Sequence, residues 1–224
     1  MSDANNLAMD FSTSRRSMAI IESKTGNVVA EAATTGGFET IAGDVDNLLE
    51  AAKLCNKDIE SLTIGIGPGS YTGIRAVIAF AQGWNLATGV RLYTVPTADA
   101  IAASYFATSA PTATLHILID AQRHEFYHTA YNASGVISPL EIISWEAAQA
   151  LIGDESGEKH VCGPDLPPEL FPSAELAAAA AIYPSAVEIG RIALQRRIFT
   201  DPEHLAPIYL RPIQFVKAPP ARKI

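Results

Sequence analysis

The chain has 224 residues, of which 48% are hydrophobic and 18% are charged, and its formal net charge is −8. This composition predicts a globular protein with a sizeable core and excludes a disordered chain. The acidic balance argues against a protein that binds nucleic acid by itself, because phosphate contacts need clustered Lys and Arg.

The first half of the chain reads as three strands followed by alternating helices and strands. β-Type runs separated by turns predict strands in "LAMDFST", "SMAIIES" and "VVAEAAT". Apolar spacing predicts a helix in "ETIAGDVDNLLEAAKLC", and a strand follows at 62–66. The loop Gly-Pro-Gly-Ser opens a long helix, "LYTVP" is typical of a strand, and Thr97 is the predicted N-cap of a helix in "ADAIAASYF".

After Pro111 the same order of elements begins again. "LHILIDA", "HEFYHTAYN" and "GVISPLEIIS" are three predicted strands, followed by a helix in "WEAAQALI" and a short strand in "KHVCG". Ser185-Ala186-Val187-Glu188 is a capping box that predicts a helix running to about Arg197. Residues 165–184 are more typical of a connector than of a complete set of elements, so the second copy is shorter than the first.

This repeated order is similar to that of an α/β fold with two duplicated ribonuclease-H-like lobes. It predicts an actin-like (ASKHA) two-lobed architecture with a reduced second lobe. Residues 1–108 form the first predicted lobe and 109–224 the second, whose helix from about residue 185 is expected to pack back toward the first. In that architecture the aspartates that end the first strand of each lobe, here Asp10 and Asp120, face a cleft that holds metal and phosphate.

The glycine-rich loop at 65–73 matches none of the common phosphate or nucleophile motifs. It has no Gly-Lys-Ser/Thr ending, no third glycine of a dinucleotide fingerprint and no Gly-x-Ser-x-Gly elbow. Two interpretations stay open: a backbone nest that attracts an anion at a helix N-terminus, and a tight structural turn, which we favour. The residues of a vestigial anion or nucleotide cleft would be Asp10, Ser12, Gly69, Ser70 and Asp120.

The helix after this loop has two adjacent apolar flanks and few polar residues. A surface helix needs one apolar stripe, so a helix with a wider stripe must be covered twice. The second cover is either another helix of the same chain or a different subunit, and we favour a subunit interface. The predicted partner-binding residues are Ile74, Val77, Ile78, Phe80, Ala81 and Trp84.

The run from His124 to His128 matches His-Glu-x-x-His, the motif of zinc proteases. That chemistry needs a helix, in which two histidines four residues apart share one face and one metal ion. Here the match falls in a run of β-formers, where the two residues lie about 13 Å apart. A protease and a metal site are therefore disfavoured, although the motif keeps a metalloprotease among the alternatives.

The segment "GPGSYTGIRAVIAFAQGWNLATG" resembles the signature of the TsaB (YeaZ) family, the bacterial partners of the tRNA threonylcarbamoyl transferase TsaD. The resemblance runs through nearly the whole chain and includes the closing "PIYLRP". Two stretches depart from the usual pattern: Phe38-Glu39-Thr40 stands where many relatives have a His-Ser pair, and Asp10-Phe11-Ser12 where they usually have Asp-Thr-Ser. Further residues that carry the resemblance are Asp120, Arg123, Glu125 and Tyr127.

The resemblance implies a non-catalytic scaffold subunit without a competent active site or a required cofactor. It implies pairing with a TsaD-like transferase and a TsaE-like ATPase, which use ATP and magnesium to make threonylcarbamoyladenosine beside the tRNA anticodon. A homodimer is expected when the chain is alone, and contact with tRNA only through the complex. The alternative from a different class is a small ATP-dependent enzyme of the actin-like fold that uses Asp10 and Asp120.

The sequence also predicts a cytoplasmic protein without a membrane segment. The start, Met-Ser-Asp-Ala-Asn-Asn, lacks the basic and apolar regions of a signal peptide, and the longest apolar runs are shorter than a membrane span. Cys55 and Cys162 lie far apart and have no metal-ligand spacing, so neither a disulfide framework nor a zinc knuckle is expected.

Overall fold

The computed structural model of the chain describes residues 4–35, 40–108, 114–153 and 159–210. Phe38 and Glu39, where the sequence departs from the TsaB pattern, lie outside these residues. In the described part of the chain, no helix is both long and apolar enough to cross a membrane.

The first lobe is built on a sheet with the strand order β3-β2-β1-β4-β5. Strand β1 pairs antiparallel with β2 and parallel with β4, and β4 pairs parallel with β5. Helices α1 and α2 cover one face and α3 follows the last strand. The elements are β1 (Asn5–Asp10), β2 (Arg16–Glu22), β3 (Val28–Thr34), α1 (Ile41–Ala52), β4 (Ile59–Gly65), α2 (Tyr71–Thr88), β5 (Arg91–Val95) and α3 (Thr97–Phe106).

The second sheet repeats the topology of the first with one strand fewer among the described residues. Its order is β8-β7-β6-β9, with β6 antiparallel to β7 and parallel to β9. Where a fifth strand would lie, a single parallel bridge joins Gly163 and Ala181. The elements are β6 (Thr114–Asp120), β7 (Glu125–Asn132), β8 (Gly135–Ser144), α4 (Trp145–Gly153), β9 (Lys159–Cys162), α5 (Ala174–Ala180) and α6 (Ala186–Arg196). The actin-like two-lobed architecture with a reduced second lobe is therefore confirmed.

Helix α6 packs on the first sheet, although it follows the second sheet in the chain. It contacts β1, β2, β4, β5 and α3, and it approaches closely because the sheet presents small side chains such as Ala8 and Ala19. A methyl group at Gly190 would overlap the end of the Ile21 side chain, so a larger residue there would require that side chain to move. The predicted division of the chain after residue 108 falls beside residues 109–113, outside the described part, and stays a prediction.

Two predicted helix starts differ in detail from the structure. Ser185 is the N-cap of α6, but its hydroxyl accepts from the amide of Val187, and Glu188 pairs with Arg191 at 2.8 Å instead of completing a capping box. Thr97 is the first residue of α3 rather than its N-cap, which is Pro96. Its hydroxyl does not cap the helix and donates instead to Oδ2 of Asp10.

Residues 198–210 form a segment that we call the C-terminal strap. It pairs with the edge of β5 through a bridge between Tyr93 and Phe199 and a hydrogen bond from the amide of Thr200 to the carbonyl of Leu92 at 2.9 Å. Leu205 is then buried in the core under α2. The strap therefore covers the sheet edge that would otherwise expose unpaired backbone groups.

Candidate functional site

A cleft of about 560 Å³ lies between the two lobes. Its walls come from the turn between β1 and β2, the loop before α2, the end of β6, the turn after β9 and the end of the C-terminal strap. Four of the five residues predicted for a vestigial cleft lie in these walls, namely Ser12, Gly69, Ser70 and Asp120. The binding of an anion or nucleotide by these residues stays a prediction. The cleft is also lined by Ser14, Tyr127, Asp165 and Tyr209, which the sequence did not single out for it.

The glycine-rich loop is a tight turn held against the turn between β1 and β2. Gly67 and Gly69 have φ angles of 91° and 149°, which side chains rarely adopt, and a methyl group at Gly69 would overlap the carbonyl oxygen of Ser12. The amide of Ser70 donates to that same carbonyl at 2.7 Å. The hydroxyl of Ser70 caps α2 by accepting from the amide of Gly73. These contacts explain the glycines as a packing requirement.

Asp10 does not face the cleft, which corrects the prediction made for it. Its side chain is completely buried. The Oδ1 atom accepts from the amide and hydroxyl of Ser12 at 2.9 and 2.6 Å, and the Oδ2 atom accepts from the hydroxyl of Thr97 at 3.1 Å. A carboxylate used in this way ties β1 to α3 and is not aimed at a ligand in the cleft.

Asp120 is exposed at the end of β6 and does line the cleft. Its two oxygens accept from the amide and the side-chain nitrogen of Gln122, at 2.7 and 2.8 Å. The two strand-ending aspartates therefore do not converge on one point. Within the described ranges, no three His, Cys, Asp or Glu side chains cluster as metal ligands.

The buried carboxyl of Asp10 has a testable pH dependence. Burial raises the pKa of Asp10 above its ordinary value of 3.8, against the opposing effect of the Ser12 and Thr97 hydrogen bonds. The folded state thus favours the protonated form, so this contribution to stability is present at low pH and is lost as pH rises through the raised pKa. We expect Asp10→Asn to gain stability relative to the native chain as pH rises from about 4 to 7.

The measurement is the free energy of unfolding in urea at several pH values, with Asp120→Asn as the control because it removes an exposed carboxyl of the other lobe. An Asp10→Asn chain that instead loses stability relative to the native chain over this pH range would show that the carboxylate is the favoured buried form.

The His-Glu-x-x-His match lies in a turn and strand, as predicted from its β-formers. His128 is a buried residue of β7, whereas His124 is exposed in the preceding turn and packs edge-on against Trp145. His128 instead lies 3.0 Å from a ring nitrogen of His116 and 3.3 Å from Glu141. The two histidines of the motif have different surroundings, and the zinc-protease geometry is not formed.

The predicted partner-binding residues of α2 divide into two groups, and four of them need correction. Ile74, Val77, Ile78 and Ala81 are buried in this chain's own core against the first sheet and α1. Phe80 and Trp84 are half-buried and pack against the same core, with their rings edge to face at 5.3 Å. The wide apolar stripe is therefore covered mostly from within the chain.

From Ala79 onward, the outward face of α2 carries uncharged side chains, most of them small. Ala79, Gly83 and Ala87 follow one another at intervals of four residues and are all exposed, and Leu86 beside them is 89% exposed. Arg75 is the single charged residue of α2, a helix that the structure describes in full. An exposed helix face with Arg75 as its one charged residue is unusual in a monomer and is typical of packing against another helix.

Comparison with known proteins shows the same relatives by sequence and by structure. A family model described as "TsaD: tRNA N6-adenosine threonylcarbamoyltransferase" matches residues 12–141. The Escherichia coli protein named "tRNA threonylcarbamoyladenosine biosynthesis protein TsaB" is 29% identical over 223 residues, which covers 92% of this chain and 94% of that protein. A solved structure described as YeaZ from Pseudomonas aeruginosa covers 92% of this chain and 100% of its own, with a TM-score of 0.75 and 22% identity.

An uncharacterized protein of Mycobacterium tuberculosis is also 29% identical, over 128 residues. That alignment covers 56% of this chain and 58% of the mycobacterial protein, so the likeness extends over little more than half of either chain.

Proposed function

The chain belongs to the TsaD family of the matching model and, within it, to the TsaB (YeaZ) proteins, and on this basis we propose that it is a non-catalytic subunit of a complex that forms threonylcarbamoyladenosine in tRNA. In this proposal a TsaD-like transferase performs the transfer, and a TsaE-like ATPase joins the complex. Those partners use ATP and magnesium, and tRNA is bound only through the assembly. The cytoplasm is the proposed location, since the substrate is tRNA.

The observation that carries the non-catalytic role is the burial of Asp10. The competing hypothesis, an ATP-dependent enzyme, needs the carboxylates of Asp10 and Asp120 to face one cleft and share a metal ion. Asp10 is instead enclosed and bonded to Ser12 and Thr97. Reaching a ligand would require both the loss of these hydrogen bonds and the opening of the contact between β1 and α3.

The surface proposed for the partner is the outward face of α2, at Ala79, Gly83 and Leu86. Small side chains let two helices approach closely, and exposed apolar atoms such as those of Leu86 lose contact with water on association. Because the transferase model matches residues 12–141, a transferase of this family is expected to contain an equivalent helix. Two related helices can then pack across a two-fold or pseudo-two-fold axis, which also accounts for a homodimer when the chain is alone.

We expect Gly83→Arg to abolish both associations without unfolding the chain. Apart from the helix backbone and the two chain neighbours, nothing lies within 4 Å of a Cβ added at Gly83, so this position is open to a side chain in the isolated chain. In the interface its charge would have to be buried unpaired, and we expect the dissociation constant to rise by at least about 100-fold. The measurements are the molar mass in solution, capture of the TsaD-like transferase from the same organism, and threonylcarbamoylation of tRNA in a reconstituted reaction.

Ala150→Arg is the matched control, because it adds the same side chain to an exposed position of α4 in the second lobe. It should leave all three measurements unchanged. If Gly83→Arg is folded and associates as the native chain does, the interface lies elsewhere. If it loses association while modification of tRNA continues at the native rate, the subunit role is wrong.

A further inference from the structure

The turn between β1 and β2 is held from both lobes. From its own lobe, the loop before α2 donates a backbone hydrogen bond to the carbonyl of Ser12. From the other lobe, Asp165 reaches across the cleft to Ser14. Its Oδ2 accepts from the amide of Ser14 at 2.9 Å, and its Oδ1 accepts from the hydroxyl of Ser14 at 2.5 Å. The two residues are 151 positions apart in the sequence, so this contact depends entirely on the fold.

Asp165 is arranged to make this contact. Its φ angle is 53°, in the left-handed region that aspartate tolerates better than most residues but that still costs free energy. A third donor, the hydroxyl of Tyr183, lies 3.0 Å from Oδ1. Burial and the hydrogen bond with Asp165 raise the pKa of Tyr183, so this hydroxyl keeps the proton that it donates. The carboxylate is thus bound by one amide and two hydroxyls.

These three donors are neutral groups of the kind that hold oxyanions in proteins. A backbone amide beside a serine hydroxyl is a common way to hold a phosphate oxygen, because both hydrogen atoms point toward one negative charge. Ser14 and Asp165 are both in the wall of the cleft, which is large enough for a phosphate-bearing ligand. The Asp165 carboxylate already takes up the amide and hydroxyl donors of Ser14 in this wall.

We propose that the turn at Ser14 is an anion-binding site whose occupant is the chain's own Asp165 carboxylate. This internal ligand closes the turn to phosphate groups and fastens the two lobes together across the cleft. Because it is tethered, its effective concentration is on the order of millimolar or higher, and a free anion must compete with it.

The test removes the internal carboxylate and offers inorganic phosphate or pyrophosphate in its place. Asp165→Gly keeps the left-handed backbone conformation and leaves the amide and hydroxyl of Ser14 without their acceptor. In spectra of the amide resonances, we expect the Ser14 signal of this variant to shift saturably with pyrophosphate, with an affinity at least about tenfold above that of the native chain. The amides of the turn between β1 and β2 should also exchange hydrogen faster in this variant than in the native chain.

Two further variants separate a built site from a simple change of charge. Asp165→Gly combined with Ser14→Ala removes the hydroxyl donor and should return the affinity to the native level. Glu169→Gln removes one exposed negative charge a few residues from Asp165 and should bind no better than the native chain. The proposal would be overturned if Asp165→Gly is folded and its Ser14 amide signal does not shift with pyrophosphate. It would also be overturned if the native chain binds pyrophosphate as tightly as this variant.

Discussion

Replacing Ala81 with arginine is expected to unfold the first lobe. Ala81 is completely buried, in the core between α2 and the first sheet. Arginine there must either bury an unpaired charge, at a cost of about 3–5 kcal/mol, or push α2 away from the sheet. Domains of this size are stable by about 5–15 kcal/mol in total, so one such change removes much of the margin.

The measurement is unfolding by urea, monitored by circular dichroism. The control is Gly83→Arg, which lies two residues further along the same helix. Gly83 is exposed, and arginine at that position should leave the unfolding midpoint near the native value. Equal midpoints for the two variants would show that α2 does not bury Ala81 against the sheet. This comparison also shows why Ala81 is unsuitable for testing the partner surface. An Ala81→Arg chain would lose association because it unfolds, whether or not α2 contacts the partner.

Two glycines of α2 should respond to alanine in opposite directions. A methyl group at Gly73 would overlap the carbonyl oxygen of Phe11, a backbone atom that cannot rotate away. We expect Gly73→Ala to lose about 2–4 kcal/mol of unfolding free energy, since the helix must shift from β1. At Gly83 nothing lies within 4 Å, and the better helix propensity of alanine should add about 0.5–1 kcal/mol.

Both values come from urea unfolding at one pH, and the sign of each effect is the decisive result. A neutral Gly73→Ala would mean that the first turn of α2 does not sit against the turn between β1 and β2. A destabilising Gly83→Ala would mean that this position is not open, and the proposed partner surface would lose its small-residue contact point.

The order of elements was predictable because each part of the chain follows its own periodicity. Alternation in the strands and the three-to-four-residue spacing in the helices depend on neighbours in sequence, and the repeat of that order gave the two lobes. The direction in which Asp10 points was not predictable in this way. Its position at the end of β1 is local, but its burial depends on Thr97, which α3 brings from 87 residues away.

Four of the residues predicted to bind a partner on α2 were assigned to the wrong face for a related reason. A helical wheel shows how wide an apolar stripe is, but not what covers it. The stripe of α2 is covered by the sheet and by α1 together, because both contribute to the same core. The outward face was overlooked since alanine and glycine give weak signals in a sequence. The contact between Asp165 and Ser14 was not predictable from the sequence. Asp165 lies in a turn-forming Gly-Pro-Asp run, which indicates only a turn, and Ser14 is at the other end of the chain.

The placement of α6 and the C-terminal strap has a consequence for synthesis on the ribosome. The second sheet packs against α3 and otherwise uses elements from 114–180, whereas the first lobe also needs residues 186–210. The second lobe can therefore finish folding during translation, while the face of the first sheet around Ala8 and Ala19 stays bare. At about 5–20 residues per second, that apolar face is exposed for several seconds after β5 emerges. Chaperones that recognise nascent chains are expected to bind this face until α6 arrives to cover it.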